Sequence, residues 1–164
     1  MEKKNDASFN SQIKVLSDKF YAVDLNNILR CYSLENGKQI WIYKSENTFI
    51  KSKKVLSLII EDEKVVFINT LGDINSIDSN TGELIWQTPT QNNFILEDSF
   101  SNLYSDLVVS GNKIFISNNN NEMFSLNLSN GLVDWVQKIN SIITPSIVDK
   151  IIFTISNDGY LFLI

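Results

Sequence analysis

An all-β fold of repeated four-stranded meanders is what this sequence predicts, and three observations carry it. The stretch Glu35-Asn36-Gly37-Lys38-Gln39-Ile40-Trp41 returns as Asn80-Thr81-Gly82-Glu83-Leu84-Ile85-Trp86 and again as Ser129-Asn130-Gly131-Leu132-Val133-Asp134-Trp135. All three tryptophans follow a turn glycine by four residues, and they stand 45 and 49 residues apart. Between these copies, short runs of β-branched and aromatic residues alternate with turn residues, and no 3.6-residue apolar stripe interrupts them. Self-similarity at this period with four strands per repeat is the plan of β-propeller blades. The expected architecture is three complete blades plus a partial fourth, an incomplete ring.

The elements follow in order. Residues 1–11 are polar and expected to be a disordered leader. The first blade spans about 12–44, with strands at 12–16, 20–25, 28–33 and 39–44 separated by turns at Asp18, Asn26-Asn27 and Asn36-Gly37. Asn-Gly between strands is a strong hairpin signal, because both residues accept positive φ. The second blade spans 56–88, turning at Glu61-Asp62-Glu63, Leu71-Gly72 and Thr81-Gly82. The third spans 105–138, turning at Gly111-Asn112, Asn118–Asn121 and Asn130-Gly131. The fourth spans 145–164 and shows three strands, with a turn at Asn157-Asp158-Gly159. A lone blade cannot bury its apolar faces, whereas stacked blades bury them against one another. A tryptophan in the outer strand suits this, its ring lying on the neighbouring blade while its N–H reaches a backbone acceptor. The open end of such an arc exposes an apolar face and strand edges. The chain is therefore expected to be an arc of a larger ring.

Composition narrows the function. The chain of 164 residues has a formal net charge of -5, and Arg30 is its single arginine, which disfavours a nucleic-acid partner and docking on an anionic membrane surface. No apolar run reaches membrane-span length and no signal peptide opens the sequence. Cys31 is the one cysteine and histidine is absent, so no intramolecular disulfide, no Ser-His-Asp or Cys-His constellation and no ordinary zinc site is expected.

Other candidates have plainer readings. Asp73–Gly82 is rich in oxygen ligands but lacks the alternating spacing of a calcium loop, and it reads as a strand and an Asx-type turn. Asn118–Asn121 reads as a wide solvated turn and Lys51–Lys54 as a charged loop between blades. No metal or cofactor is expected. The longest connection, Pro89–Tyr104, carries Phe94, Ile95, Leu96 and Phe100, which are either a partner-contact loop or a lid over the blade edge.

At the repeated Gly-x-x-x-Trp the chain resembles the PQQ-like β-propeller repeat family, whose pattern runs Ala-x-Asp-x-x-Thr-Gly-x-x-x-Trp. Glycine and tryptophan match three times, as Gly37 and Trp41, Gly82 and Trp86, Gly131 and Trp135. The aspartate and threonine positions match together only as Asp78 and Thr81, and the alanine position is small throughout, as Cys31, Ser76 and Ser125. Within that family the run from Gly111 through Trp135 to Phe162 is similar to the propeller lipoproteins of outer-membrane β-barrel assembly. That resemblance implies a non-enzymatic scaffold at the periplasmic face of the outer membrane, binding the periplasmic domains of the barrel-inserting subunit. The lipid-bearing cysteine of such proteins has no counterpart here. The alternatives are an arc of a PQQ-dependent dehydrogenase or another ligand-binding propeller. The dehydrogenase resemblance implies an adjacent-cysteine disulfide, which a single cysteine does not supply.

Overall fold

Side chains alternate across a strand, so Lys19–Val23 and Ile28–Ser33 each turn one face inward: Tyr21, Val23, Leu29 and Cys31 are all completely buried. Turn residues between such runs fold them back into antiparallel sheets. The computed structural model describes residues 7–46, 54–91 and 103–164. It divides into two compact units, 1–91 and 92–164, each holding two sheets.

In the first unit, β1 (Lys14–Leu16), β2 (Lys19–Val23), β3 (Ile28–Ser33) and β4 (Gln39–Lys44) form one four-stranded meander, in chain order. β5 (Leu58–Glu61), β6 (Lys64–Ile68), β7 (Asp73–Asp78) and β8 (Leu84–Pro89) form the next. In the second unit, β9 (Val108–Ser110), β10 (Lys113–Ser117), β11 (Met123–Asn127) and β12 (Val133–Gln137) form a third. β13 (Ser146–Val148), β14 (Ile151–Ile155) and β15 (Leu161–Leu163) form a three-stranded fourth sheet. Every neighbouring pair is antiparallel. The fold is all-β propeller blades, as the repeat implied.

Each unit has its core between its two sheets. In the first, Tyr21, Val23, Leu29 and Cys31 of blade one meet Leu58, Val65, Phe67 and Ile77 of blade two. Burying each of the larger side chains contributes roughly 1.5–3 kcal/mol. In the second, Phe115 and Met123 of blade three meet Ile152 of blade four, with Ile147 and Phe162 packed alongside.

Two expectations change. Residues 1–11 were expected to be a disordered leader, but Ser8–Ser11 is tied into the first unit. Phe9 bridges Asp24, Ser11 bridges Leu56, and Leu25 N donates to Ser8 O at 2.9 Å. The first strand also starts later than expected, because Gln12 leaves the sheet to donate to Leu56 O at 3.0 Å. Extended backbone with free N–H and C=O groups lowers its free energy by finding partners, whatever the polarity of its side chains.

Candidate functional site: the interblade clasp and its clefts

The repeated motif builds the same turn three times. Gly37, Gly82 and Gly131 donate their N–H to Ser33 O, Asp78 O and Asn127 O, four residues back, at 2.9, 2.9 and 2.8 Å. Asp78 Oδ1 accepts from Asn80 N and Thr81 N, both at 2.8 Å. These two amides, Thr81's foremost, hold the Asp78 carboxyl below the usual carboxylate range. Asn127 Oδ1 accepts the equivalent pair from Ser129 and Asn130, and Ser33 Oγ accepts from Glu35 N. The next motif position caps again: Asn36 Oδ1, Thr81 Oγ1 and Asn130 Oδ1 accept from the amides two residues on. Aspartate, serine and asparagine interchange here because the turn needs an oxygen acceptor and no charge. Asp78 is thereby spent on its own turn, and the calcium-like run Asp73–Gly82 is a strand followed by a capped turn.

The small residue of the motif is explained by register. Cys31 stands directly opposite Trp41, Ser76 opposite Trp86 and Ser125 opposite Trp135. All three small residues are fully buried, which leaves room for the indole across the strand pair. Just beyond each pair the register shifts by a bulge.

In the first unit the tryptophan clasps the neighbouring blade. Trp41 Nε1 donates to Ser79 O at 3.3 Å, and Tyr21 Oη donates to the same carbonyl at 3.1 Å. The Tyr21 and Trp41 rings lie 5.7 Å apart. The Trp41 ring rests on Gly82: a Cβ built there would fall 2.7 Å from Cδ2 and 2.8 Å from Cε3 of the indole. Gly82 also sits at φ +78°, where a side chain is strained. The motif glycine thus shapes its own turn and seats the tryptophan of the preceding blade, a second role that is invisible in the spacing. Burial, with Cys31 beside it, pushes the Tyr21 phenol well above its usual range, and burial pushes the Cys31 thiol up to about 11.

The opposite turns carry a second repeat, which escaped the sequence reading. Asp24 Oδ1 accepts from Asn26 N and Ile28 N, Asn69 Oδ1 from Leu71 N and Asp73 N, and Asn118 Oδ1 from Asn120 N and Glu122 N. Ser156 Oγ accepts from Tyr160 N in blade four. All four capping residues are buried; in the turn Asn118–Asn121, expected to be wide and solvated, Asn118 is the buried cap while Asn120 and Asn121 are exposed. Asp24 also pairs with Arg30 at 3.0 Å, so the single arginine is internal. Asn27 ties blade one to blade two, donating to Thr70 Oγ1 at 2.7 Å and accepting from Thr70 N at 3.1 Å. A signal was available: Asp24, Asn69 and Asn118 stand 45 and 49 residues apart, the spacing of the tryptophans.

Among the described residues, each unit carries a cleft. One of about 390 Å³, between the first two blades, is lined by Asp18, Lys19, Glu61, Asp62, Glu63 and Ser79 among others. One of about 430 Å³ in the second unit lies against Trp135, Phe115, Ile147, Ile152 and Ile164, with Lys113 and Asp149 at its rim. Trp135 is half-buried beside Phe115, their rings 6.0 Å apart, and Trp86 is buried. Phe94, Ile95, Leu96 and Phe100 lie outside the described residues, as do residues 51–53 of the basic loop. Among the described residues, no group of three or more Cys, Asp or Glu stands together to hold a metal ion, and no helix is long and apolar enough to cross a membrane.

With this turn-and-clasp geometry in place, a family model described as the outer membrane protein assembly factor BamB matches residues 2–164. The chain belongs to the PQQ-like propeller family of BamB. Among curated proteins, no sequence matches it. Among solved structures, BamB from Moraxella catarrhalis is similar at a TM-score of 0.69 and 16% identity, over 94% of this chain and 42% of that one. The computationally designed protein Ika4 is similar at a TM-score of 0.69 and 10% identity, over 98% of this chain and 92% of that one. The quinohemoprotein alcohol dehydrogenase ADHIIG from Pseudomonas putida HK5 is similar at a TM-score of 0.65 and 15% identity, over 84% of this chain and 21% of that one. At these identities the structures establish the shared fold. The chain spans less than half the length of the BamB structure it matches.

Proposed function

We propose that this chain is a non-enzymatic protein-interaction scaffold for the assembly of outer-membrane β-barrel proteins, working at the periplasmic face of that membrane. The observation that carries the reading is the family match, which runs from residue 2 to residue 164 and whose description is an assembly factor. The chemistry of the motif is in keeping with it. Asp78, Asn127, Thr81, Trp41 and Trp135 serve turns and blade packing, and the capping residues Asp24, Asn69 and Asn118 are buried in their own turns. What such a framework presents outward is sheet edges, turns and apolar side chains, the materials of protein recognition. The partner on this reading is the periplasmic region of the barrel-inserting subunit. The test is titration of the chain onto that region, immobilised: saturable binding supports the reading, and no binding at any soluble concentration sinks it.

A second reading has a specific observation behind it, the structural likeness to quinone-dependent dehydrogenases such as ADHIIG and the europium-containing methanol dehydrogenase. On it, the chain is an arc of such an enzyme. A ligand selective for the folded state raises the melting temperature, so PQQ with calcium would shift the melting curve if this reading held.

A further inference from the structure

The first hairpin turns of blades one and two line one cleft and carry one kind of charge. Leu16 pairs with Lys19 around Ser17-Asp18, and Glu61 pairs with Lys64 around Asp62-Glu63. Two-residue hairpin turns favour positive φ, which Ser17, Asp62 and Glu63 adopt at 54°, 47° and 59°. Asp18 and the run Glu61-Asp62-Glu63 are exposed, and all of them line the cleft of about 390 Å³ between the two blades. That volume lies toward the small end of the range for ligand clefts.

The positive charge nearby is already engaged. Lys19 Nζ donates to Asn80 Oδ1 at 2.8 Å, and Lys64 Nζ donates to the backbone carbonyl of Asp62 at 3.3 Å. Among the described residues, none of these carboxyl groups is in an ion pair. Nor, among those residues, do three of them stand together to hold a metal ion. The cleft also has apolar walls, since Leu16 and Ile60 pack half-buried on the core beside Tyr21.

A separate observation points to a ligand. Ser79 lines the same cleft and is fully buried. Its N donates to Glu63 O at 2.9 Å, and it stands two residues past Ile77, on the strand face that meets blade one. Its carbonyl is taken by Trp41 and Tyr21, yet its Oγ has no hydrogen-bond partner. A buried hydroxyl left unpaired is costly, and a donor arriving in the cleft would relieve it.

We propose that this cleft binds an arginine side chain presented by a peptide of another protein, with the guanidinium among the carboxyl groups of Asp18, Glu61 and Glu63, the stem between Leu16 and Ile60, and one N–H turned to Ser79 Oγ. Acceptors spread over two turns suit a flat group with five N–H donors better than a point charge, and its weak hydration tolerates apolar walls. The proposal stands independently of the scaffold reading, because it rests on the chemistry of the cleft alone.

Two-dimensional NMR of the isotope-labelled chain tests it, with the blocked tripeptide acetyl-Ala-Arg-Ala-amide as probe. Saturable shifts are expected, centred on the amides of Asp18, Glu63 and Asn80. The same peptide with citrulline for arginine keeps the shape without the charge and should not bind. The variant E61Q/E63Q should bind the arginine peptide about tenfold more weakly, the contribution of a charged hydrogen bond. D18N, on the other blade, should weaken it independently, and a spectrum otherwise unchanged shows that each variant is folded. No saturable shift, equal binding of the citrulline peptide, or undiminished binding by both variants would overturn the proposal. Free arginine is the other source of the same group, and its binding more tightly than the peptide would overturn the assignment to a peptide.

Discussion

The indole of Trp41 sits against Gly82 on the next blade, so close that a methyl group on the glycine's α-carbon would fall 2.7 Å from the ring. The ring has nowhere to go, since its N–H is bonded to Ser79 O and its flank meets Tyr21. Gly82→Ala therefore meets two penalties, the left-handed backbone at about 1–2 kcal/mol and overpacking at about 1–3 kcal/mol. Gly111 also has a positive φ, but its Cβ would meet nothing within 4 Å, so Gly111→Ala carries the first penalty alone. Urea denaturation of both variants should show the larger loss for Gly82→Ala.

Asp78 serves its turn as an acceptor of two amides. Losing both bonds in Asp78→Ala should cost about 1 kcal/mol, as for a lost helix cap. Asp78→Asn should be close to neutral at pH 7, because Asn127 already does the same work in blade three. The depressed carboxyl adds a pH effect. Above its unfolded value the stabilisation is fully present. As pH falls through the folded value it is lost, because the unfolded chain takes up the proton first. Acid titration of stability should thus be shallower in Asp78→Asn than in the wild type.

Cys31 gives the opposite sign. Its thiol is raised from 9.0 to about 11, and burial leads the causes. Between those values the folded chain keeps a proton that the unfolded chain has released, so stability falls as pH rises through that window. Tyr21, raised in the same direction, adds to the fall at higher pH. Cys31→Ala should flatten the first part of the decline in an alkaline series of urea melts. In the native wild-type protein the thiol should resist a thiol-specific reagent at pH 8 and react freely in denaturant.

The buried caps of the opposite turns make a fourth case. Asn69 Oδ1 accepts from Leu71 N and Asp73 N, and its Nδ2 donates to Asp73 Oδ2 at 3.1 Å. Asn69→Ala leaves these groups without their partner in a buried site, at a cost of about 1–3 kcal/mol. The same substitution at exposed Asn36, which caps a single amide, should cost less; thermal melts of the pair would show the difference.

The strands were legible because period-two alternation and turn residues are local signals: Lys64–Ile68, Asp73–Asp78 and their counterparts fall within about two residues of where the pattern put them. Gly37, Gly82 and Gly131 announced their turns for the same reason. The seating of Trp41 on Gly82 was not legible, since it joins residues far apart in sequence and depends on how one blade lies on the next. The bridges of Phe9 and Ser11 were hidden because they use backbone groups and leave no mark in side-chain pattern. The burial of Asn118 was hidden for a different reason. A polar run reads as solvated unless its register with Asp24 and Asn69 is noticed.

The claim at the centre of this account is that Trp41 and the motif glycine Gly82 form a clasp between the first two blades, and a double-mutant cycle on the two residues tests it most directly. Unfolding free energies are needed for the wild type, Trp41→Ala, Gly82→Ala and the double variant. If the clasp is as described, Gly82→Ala is costly in the wild type but costs only as much as Gly111→Ala once the indole is gone. Equal costs of Gly82→Ala with and without Trp41 would contradict it.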